Sequence, residues 1–292
     1  MELKGVLTAL VTPFTKEGDL AEERLRELVD FQIEEGISGL VPMGTTGESP
    51  TLTHDEHNKV VELVVEQARG RVPIMAGTGS NSTSEAIKMT KFAKECGADA
   101  SLQITPYYNK PSQEGLYRHF AAIADAVDIP IVVYNIKSRT GINVENDTML
   151  RLAKIDNIVG VKEASGDIEQ IMNLIMRKPG DFAVLSGDDS MGVPMITLGG
   201  SGIVSVAGNI IPAEMEEMTT AALDGDIEKA RMMHYRYLPL FKSLFIETNP
   251  IPVKLALSLM GKIEESYRLP IYNMGDENRE KLIRALNEAG IL

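Results

Sequence analysis

Cysteine and long apolar runs are scarce in this chain. Its 292 residues include one cysteine, Cys96, which cannot form a disulfide within the chain and gives no sign of an oxidising compartment. Nowhere do about 18 apolar residues run together, as a membrane-spanning helix requires. The short apolar run near the start lacks a small-residue cleavage site. We therefore expect a cytoplasmic protein.

Positive charge is also in short supply. Lys and Arg total 29 against 42 Asp and Glu, which gives a formal net charge of −13. Nucleic acids and anionic membranes both require a basic face, so neither is expected as a partner. Hydrophobic residues make up 43% and charged residues 24% of the chain, as in an ordinary globular protein with a large core.

One unit recurs between residues 6 and 208: a short apolar run, turn residues, and then a stretch with helical spacing. The apolar runs are mostly continuous rather than alternating, which is typical of parallel strands buried on both faces. Several helical stretches end in glycine, a common helix C-cap. The predicted strands are 6–13, 39–44, 73–79, 100–106, 130–135, 157–164, 182–187 and 202–207.

Eight strands, each followed by a helix, predict a closed (β/α)8 TIM barrel. The rival, an open doubly wound sheet, is disfavoured because no Gly-x-Gly-x-x-Gly follows the first strand. Beyond about residue 212 four helices are predicted, over 213–223, 227–245, 250–260 and 277–289. Asn249 and Pro250 suit the N-cap and first position of the third helix. We expect a barrel over 1–224 and a C-terminal helical region over 225–292.

The sixth strand carries a lysine in apolar surroundings. Strand alternation places Lys162 on the same face as Ile158, Gly160 and Ala164, and two valines on the other. If the valines pack on the helices, Lys162 points into the barrel, with Gly160 leaving room beside it. A lysine at a strand end commonly extends to solvent. The functional interpretation is a Schiff-base nucleophile, since desolvation lowers a lysine pKa and supplies the free amine.

Other strand ends carry polar groups where a barrel has its active site. Gly44 and Gly47 bracket two threonines, which indicates a tight turn that presents amides and hydroxyls. Tyr134 lies near the end of the fifth strand, as an ordinary core tyrosine or as an inward-pointing hydroxyl. Arg139 follows in a polar loop, either as a solvated charge or as a carboxylate clamp.

Four motifs occur in order, each at or just after a strand end: Gly44-Thr45-Thr46-Gly47-Glu48, Tyr107-Tyr108-Asn109, Tyr134-Asn135 with Ser138-Arg139-Thr140-Gly141, and Gly160-Val161-Lys162-Glu163. This ordered set resembles the pyruvate-dependent class I aldolase family. The likeness runs from Leu7 to Leu292 and includes the runs 186–189 and 249–254. It is strongest to members that condense pyruvate with L-aspartate 4-semialdehyde, the committed step towards diaminopimelate and lysine.

The resemblance implies a role for each matched residue. Lys162 forms an imine with pyruvate, and Tyr134, Thr46 and Tyr108 relay protons, because hydroxyls donate and accept in turn. Tyr108 reaches its site across a subunit interface, so the family likeness implies an oligomer, usually a homotetramer built as a dimer of dimers. The resemblance implies neither a cofactor nor a metal.

Substrate contacts are implied in the same way. Thr45 and Thr46 hold the pyruvate carboxylate, while Gly187 and Val204 line the pyruvate pocket through backbone groups. Arg139 holds the carboxylate of the semialdehyde. Lys137 stands where many members have proline, so we expect a freer Arg139 loop and altered affinity rather than altered chemistry.

A second set matches the L-lysine feedback site of inhibitable members: Ser49, His54, His57, Asn81, Glu85 and Tyr107. A carboxylate can pair with the ammonium group of lysine, while amide and hydroxyl groups bind its carboxylate. These residues also suit ordinary helix starts. Pro50, where other members have different residues, is expected to reshape the pocket.

Three other functions compete with this interpretation. The first is an aldolase for N-acetylneuraminate or a 2-keto-3-deoxy sugar acid, although sialic acid lyases lack the arginine found here at 139. The second is a non-catalytic ligand-sensing barrel, which would be expected to have lost a relay residue. Metal chemistry at His54 and His57 is disfavoured, because their spacing is not the His-Glu-x-x-His zinc pattern.

Overall fold

The computed structural model describes residues 3–292 and contains eight parallel strands in the order β2-β1-β8-β7-β6-β5-β4-β3. A parallel bridge between Leu40 and Ile74 joins the two ends of this order, so the sheet closes on itself. The predicted TIM barrel is confirmed. The strands are β1 Gly5–Ala9, β2 Gly39–Val41, β3 Met75–Gly77, β4 Ala100–Ile104, β5 Ile131–Asn135, β6 Ile158–Glu163, β7 Ala183–Ser186 and β8 Gly202–Ser205.

Helices follow every strand and surround the barrel. They are α1 Glu22–Glu34, α2 His54–Ala68, α3 Thr83–Cys96, α4 Gln113–Ala126, α5 Lys137–Thr140, α6 Asn146–Leu152, α7 Ile168–Arg177, α8 Gly192–Thr197, α9 Pro212–Leu223, α10 Ile227–Ser243, α11 Ile251–Leu259 and α12 Asp276–Glu288. The last four correspond to the helices predicted after residue 212. None of the helices within residues 3–292 is long and apolar enough to cross a membrane.

Two apolar layers explain why the strands are continuously hydrophobic. Side chains such as Leu102, Val132 and Leu185 pack together inside the barrel. Neighbours such as Val133 and Val184 pack instead against the surrounding helices. Since both faces of each strand are buried, alternation with polar residues is absent from most strands, as the sequence indicated.

Strand β6 departs from simple alternation. Its register with β5 shifts between the pairs Ile131–Ile158 and Val132–Gly160, so one extra residue, Val159, forms a bulge. Ile158 packs in the outer layer and Val159 against the interior layer. The prediction that Ile158 shares a face with Lys162 is therefore wrong, because the bulge inverts the alternation at the start of the strand.

The C-terminal helices share a core with the barrel. Buried residues of α10, α11 and α12, such as Leu240, Leu255 and Leu286, belong to the same apolar cluster as Leu25 of α1 and Val61 of α2. Helix α11 begins at Ile251, and Pro250 occupies its N-cap position. The prediction that Asn249 caps this helix is wrong, because its side chain bonds elsewhere.

Candidate active site at the carboxyl end of the barrel

Lys162 points into the barrel interior. It lies on β6 opposite Tyr134 of β5 and Leu185 of β7. Only 6% of the residue is exposed, and its Nζ lies 4.1 Å from the centroid of the Tyr134 ring. The pKa of Lys162 is lowered to about 7, chiefly by burial; the charge of Asp189 opposes this shift and the charge of Arg139 contributes to it. The lysine can therefore present a neutral amine near neutral pH.

Gly187 makes room for this side chain. A Cβ atom at Gly187 would lie 3.0 Å from Cε of Lys162 and 2.8 Å from Cβ of Ala164. Gly160, which sequence reasoning credited with this function, instead allows close approach of the next strand, since its Cβ would lie 2.8 Å from the Ala183 carbonyl oxygen. Val204, the other backbone position expected in the pyruvate pocket, is a buried residue of the interior layer.

Asp189 is a charged residue whose role sequence reasoning missed, although the run 186–189 was recognised as part of the family likeness. Its carboxylate is buried and accepts hydrogen bonds from Ser205 Oγ (2.6 Å) and from the backbone N–H groups of Val206 (3.1 Å) and Ala207 (2.9 Å). Burial raises the pKa of Asp189 to about 6, and these donors act against that rise. Above that pH it is an anion that favours the charged form of Lys162.

The predicted turn after β2 is present and firmly held. Thr12 Oγ1 donates to the Gly47 carbonyl (2.6 Å), and a Cβ at Gly47 would lie 3.0 Å from the Met43 nitrogen. Met43 and Glu48, at its two ends, both adopt left-handed backbone conformations, with φ of 57° and 55°. Such conformations are rare outside glycine, so the packing around this turn imposes its shape.

Two contacts join this turn to the C-terminal helical region. Asn249 Nδ2 donates to the buried Thr46 Oγ1 (2.9 Å), and Lys254 Nζ donates to Glu48 Oε1 (2.5 Å). Both side chains of the Lys254–Glu48 pair are fully buried. Burial lowers the pKa of Lys254, and Glu48 opposes that effect. Sequence reasoning missed this pair, because the partners are more than 200 positions apart.

Tyr134 and Arg139 lie together beside the turn. Burial raises the pKa of Tyr134 to about 12, although Arg139 and a side-chain hydrogen bond with Thr45 lower it, so the phenol keeps its proton. Arg139 lies in the four-residue helix α5 rather than in an irregular loop, and its Nη2 donates to the Asn249 carbonyl (3.3 Å). Lys137 begins this helix and is exposed, and the loop freedom expected from it stays a prediction.

The two adjacent tyrosines after β4 occupy different surroundings. Tyr108 is 91% exposed and has a left-handed φ of 71°, so the single chain does not bring it to Lys162. Tyr107 is 40% exposed and lines a cavity. Burial and the nearby Glu85 raise the pKa of Tyr107.

That cavity has a volume of about 450 Å³ and is lined by residues from both predicted sites, although Lys162 is not one of them. Thr45, Tyr134 and Arg139 line one part of it. Five residues of the predicted effector site line another part: Ser49, His54, His57, Glu85 and Tyr107. Asn81, the sixth, is not among the lining residues; its backbone carbonyl accepts from Asn109 Nδ2 (3.0 Å).

The two histidines of the cavity have separate partners. His54 Nε2 lies 2.9 Å from Glu85 Oε1, and Ser80 Oγ donates to the other oxygen of that carboxylate. His57 Nε2 bonds the Gly77 carbonyl (2.9 Å), and burial lowers the pKa of His57. Across residues 3–292, no group of three His, Cys, Asp or Glu side chains is placed to hold a metal ion.

Comparisons with known proteins identify the family and the fold. A model of the dihydrodipicolinate synthetase family matches residues 2–289. A 4-hydroxy-tetrahydrodipicolinate synthase from Syntrophus aciditrophicus is 54% identical over 289 residues, covering 99% of each chain. The chloride-inhibited dihydrodipicolinate synthase of Acinetobacter baumannii, complexed with pyruvate, matches with a TM-score of 0.98 and 46% identity, covering 99% of this chain and 100% of the other. The enzyme from Cyanidioschyzon merolae with lysine bound matches with a TM-score of 0.97 and 42% identity, covering 99% of each chain.

Proposed function

The chain belongs to the dihydrodipicolinate synthetase family, and we propose that Lys162 is the residue on which it condenses pyruvate with L-aspartate 4-semialdehyde. The protein is a Schiff-base-forming lyase whose product, 4-hydroxy-tetrahydrodipicolinate, leads to diaminopimelate and lysine. The observation that carries the assignment to Lys162 is its burial in the barrel with a pKa of about 7. An amine in that state is a nucleophile at neutral pH.

The neutral amine of Lys162 attacks the keto carbon of pyruvate, and loss of water gives an imine. The protonated imine withdraws electrons, so the methyl carbon releases a proton and the enamine forms. Its terminal carbon bonds to the aldehyde carbon of the semialdehyde, and the resulting alkoxide takes up a proton. The amino group of the semialdehyde portion then attacks the imine carbon, which closes the ring and releases Lys162.

Three hydroxyls relay the protons in this proposal: Tyr134, Thr46 and Tyr108. Tyr134 stays protonated at working pH, since its pKa is raised to about 12, and its ring contacts the Lys162 amine. A hydroxyl can pass on its own proton while it accepts another, so no net charge builds up on the relay. Tyr108 is exposed on its own chain and would serve the site of a second subunit.

The turn after β2 is proposed to bind pyruvate. Thr45 and Thr46 supply hydroxyls and amides to its carboxylate, at a turn whose shape is imposed by Gly47 and Thr12. Gly187 leaves open space next to the Lys162 stem, where a larger residue would crowd the reacting carbon. Val204 of β8, which pairs with Leu7 of β1 and packs in the interior layer, is proposed to line the same pocket.

Arg139 is proposed to hold the carboxylate of the semialdehyde. It lines the same cavity as Tyr134 and is tethered to the Asn249 carbonyl at one nitrogen. Its remaining N–H donors can bind a carboxylate in the bidentate manner that arginine favours. Arg139→Ala should raise the KM for the semialdehyde and cost roughly 2–5 kcal/mol in kcat/KM. Unchanged semialdehyde kinetics would contradict this role.

Borohydride trapping tests the imine directly. Incubation with pyruvate and borohydride should attach a reduced pyruvyl group to Lys162. Trypsin does not cleave after a modified lysine, so the modification should appear on a peptide spanning residues 155–177. Lys162→Ala should abolish both the label and nearly all turnover while the protein stays folded. A label on another lysine, or none, would refute the mechanism.

The sugar-acid aldolase is the second candidate for this barrel, and the curated relatives favour the synthase. Turnover with N-acetylneuraminate in the cleavage direction, compared with condensation of pyruvate and the semialdehyde, separates the two. We expect activity in the second assay alone.

The active assembly is proposed to be a homotetramer built as a dimer of dimers. One subunit contact would bring Tyr108 to a neighbouring site. A second exposed apolar surface follows one side of α7, where Ile168, Met172 and Met176 recur every fourth residue and are 38%, 43% and 75% exposed. Such a stripe favours burial against another copy of the chain. Met176→Asp should convert tetramers to dimers in sedimentation velocity; tetramers that persist would contradict this placement.

L-lysine is proposed to bind in the part of the cavity lined by Ser49, His54, His57, Glu85 and Tyr107. The carboxylate of Glu85, held by His54 and Ser80, can pair with an ammonium group. Asn81, the sixth residue of the predicted set, is proposed to contribute to this site although it does not line the cavity. Calorimetry with L-lysine should show binding that Glu85→Gln weakens, and lysine should inhibit without simply competing with pyruvate. Full activity in millimolar lysine, with no heat of binding, would refute the effector role.

A further inference from the structure

Asn249 contacts two residues of the proposed site at once. Its side-chain Nδ2 donates to Thr46 Oγ1 at 2.9 Å, and its backbone carbonyl accepts from Arg139 Nη2 at 3.3 Å. The bond to Thr46 is buried, so water does not compete for it, whereas the bond from Arg139 is only partly buried. It precedes helix α11 and does not cap it. The side chain therefore has a specific partner in the site and no role in starting the helix.

We propose that Asn249 is a positioning residue that orients the Thr46 hydroxyl for proton transfer, an inference that depends on the proton relay described above. A hydroxyl has one proton and two lone pairs. Because an amide N–H occupies one lone pair of Thr46 Oγ1, the hydroxyl proton cannot point at Asn249. It is left to donate to the next hydroxyl of the relay, while the second lone pair accepts from the other side. Asn249 itself neither gains nor loses a proton.

The segment 249–254 is held at both ends, by Asn249 at one and by Lys254 at the other. Five residues later, Lys254 forms a fully buried ion pair with Glu48, which lies two residues after Thr46. The Lys254 Nζ also lies 4.2 Å from the centroid of the Phe14 ring, on the loop after β1. The start of α11 is thus joined to the turn at Thr46 and at Glu48, which holds the amide against the hydroxyl.

The decisive comparison is between Asn249→Ala and Asn249→Asp. Alanine removes the donor and leaves the Thr46 hydroxyl free to rotate, so kcat should fall by about ten- to a hundredfold. A carboxylate can only accept, so it would take the Thr46 proton away from the relay and lower kcat further. Packing alone predicts the reverse order, since aspartate has nearly the shape of asparagine.

The pH profile separates donation from packing. As the pH falls, the carboxyl group introduced by Asn249→Asp becomes protonated and regains a donor. The ratio of its kcat to that of the unsubstituted enzyme should therefore rise towards acid pH. A ratio that does not change with pH, or a kcat for Asn249→Asp at or above that of Asn249→Ala, would overturn the proposal.

A double-substitution cycle tests whether Asn249 acts through Thr46. In a Thr46→Val background, Asn249→Ala should cause little further loss in kcat, because the hydroxyl it orients is gone. Fully additive losses would overturn the proposal. This cycle does not use Asn249→Asp, so it remains decisive if that variant does not fold. The KM for the semialdehyde should change little in Asn249→Ala, since the carbonyl that contacts Arg139 remains.

Asn157→Ala is a matched control. Asn157 likewise donates from its side-chain amide, but to two backbone carbonyls, Ala124 O and Val127 O, at the opposite end of the barrel. It should alter thermal stability without altering the pH profile. Trapping of the pyruvate imine separates a failure of the role proposed for Asn249 from a failure of the imine mechanism. Normal trapping with an unaffected kcat in Asn249→Ala refutes the role of Asn249 alone, whereas failed trapping in the unsubstituted enzyme refutes the mechanism on which it depends.

Discussion

The pH dependence of imine formation is the most direct consequence of the buried Lys162. Only the neutral amine attacks pyruvate, and burial lowers the pKa of Lys162 to about 7. An ordinary lysine, with a pKa of 10.5, would be neutral in about one molecule in 3,000 at pH 7, whereas about half of the Lys162 side chains are neutral. The site thus raises the concentration of the nucleophile about a thousandfold, equivalent to about 4 kcal/mol.

Rapid mixing with pyruvate followed by a borohydride quench in one common buffer measures the rate at which imine forms at each pH. The rate should rise with pH and level off, with a midpoint near 7. Removing the positive charge in Arg139→Met should move the midpoint up, and removing the negative charge in Asp189→Asn should move it down. A midpoint near that of an ordinary lysine, or shifts of the same sign in both variants, would refute the reasoning.

The lowered pKa of Lys162 also makes the stability of the fold depend on pH. Between about pH 7 and pH 10.5 the unfolded chain binds a proton at Lys162 that the folded chain does not. Stability from this group is therefore present above the unfolded pKa and is lost as the pH falls through about 7. Lys162→Met, of similar length and uncharged, should raise the melting temperature at pH 7 while it abolishes activity. A lower melting temperature would contradict the claim that burial penalises the charged lysine.

Three other outcomes follow from the packing and charges around the site. Gly187→Ala places a methyl group 3.0 Å from Cε of Lys162, so imine trapping should slow by about tenfold or more; Gly180→Ala, with nothing within 4 Å, is the control and should trap normally. Lys254→Met leaves a buried carboxylate without its partner and should cost about 3–5 kcal/mol of unfolding free energy in urea. Adding Glu48→Gln to Lys254→Met should recover part of that loss. Equal stability of Lys254→Met and the unsubstituted protein would show that the buried ion pair does not stabilise the fold. Mixing inactive Tyr108→Phe with inactive Lys162→Ala subunits should restore some activity if the relay crosses a subunit interface, whereas inactivity after verified subunit exchange would contradict it.

Features that depend on local pattern could be predicted from the sequence. All eight strands were located, because continuous apolar runs between turn residues are typical of strands buried on both faces. Lys162 stood out because a charged residue within such an apolar run is unusual. The inward direction of Lys162 was predicted correctly, although the alternation at the start of the strand was not. The bulge at Val159 comes before residues 160–162, which alternate regularly.

Features that depend on contacts between strands were not accessible in the same way. The alternation of β6 gives no sign of its bulge, because the shift arises from the register with β5. Gly160 was assigned the space next to Lys162, yet Gly187 of the neighbouring segment supplies it. Sequence spacing shows which residues share a strand face. It does not show which residue of the adjacent strand lies across from them.

The largest omission concerns the C-terminal helical region, whose contacts with the turn after β2 were not predicted. Asn249 and Lys254 bind Thr46 and Glu48 across separations of 203 and 206 residues, and no local pattern reveals such pairs. The Asn249-Pro250 pair is typical of a helix start, so the sequence favoured a capping role for Asn249. It gave no sign of the contact with Thr46. Because the turn that these residues hold is the proposed carboxylate site, residues on both sides of the predicted boundary at 224 contribute to that site. We therefore expect substitutions in α11 that leave the protein folded to weaken pyruvate binding, because α11 contacts the turn after β2.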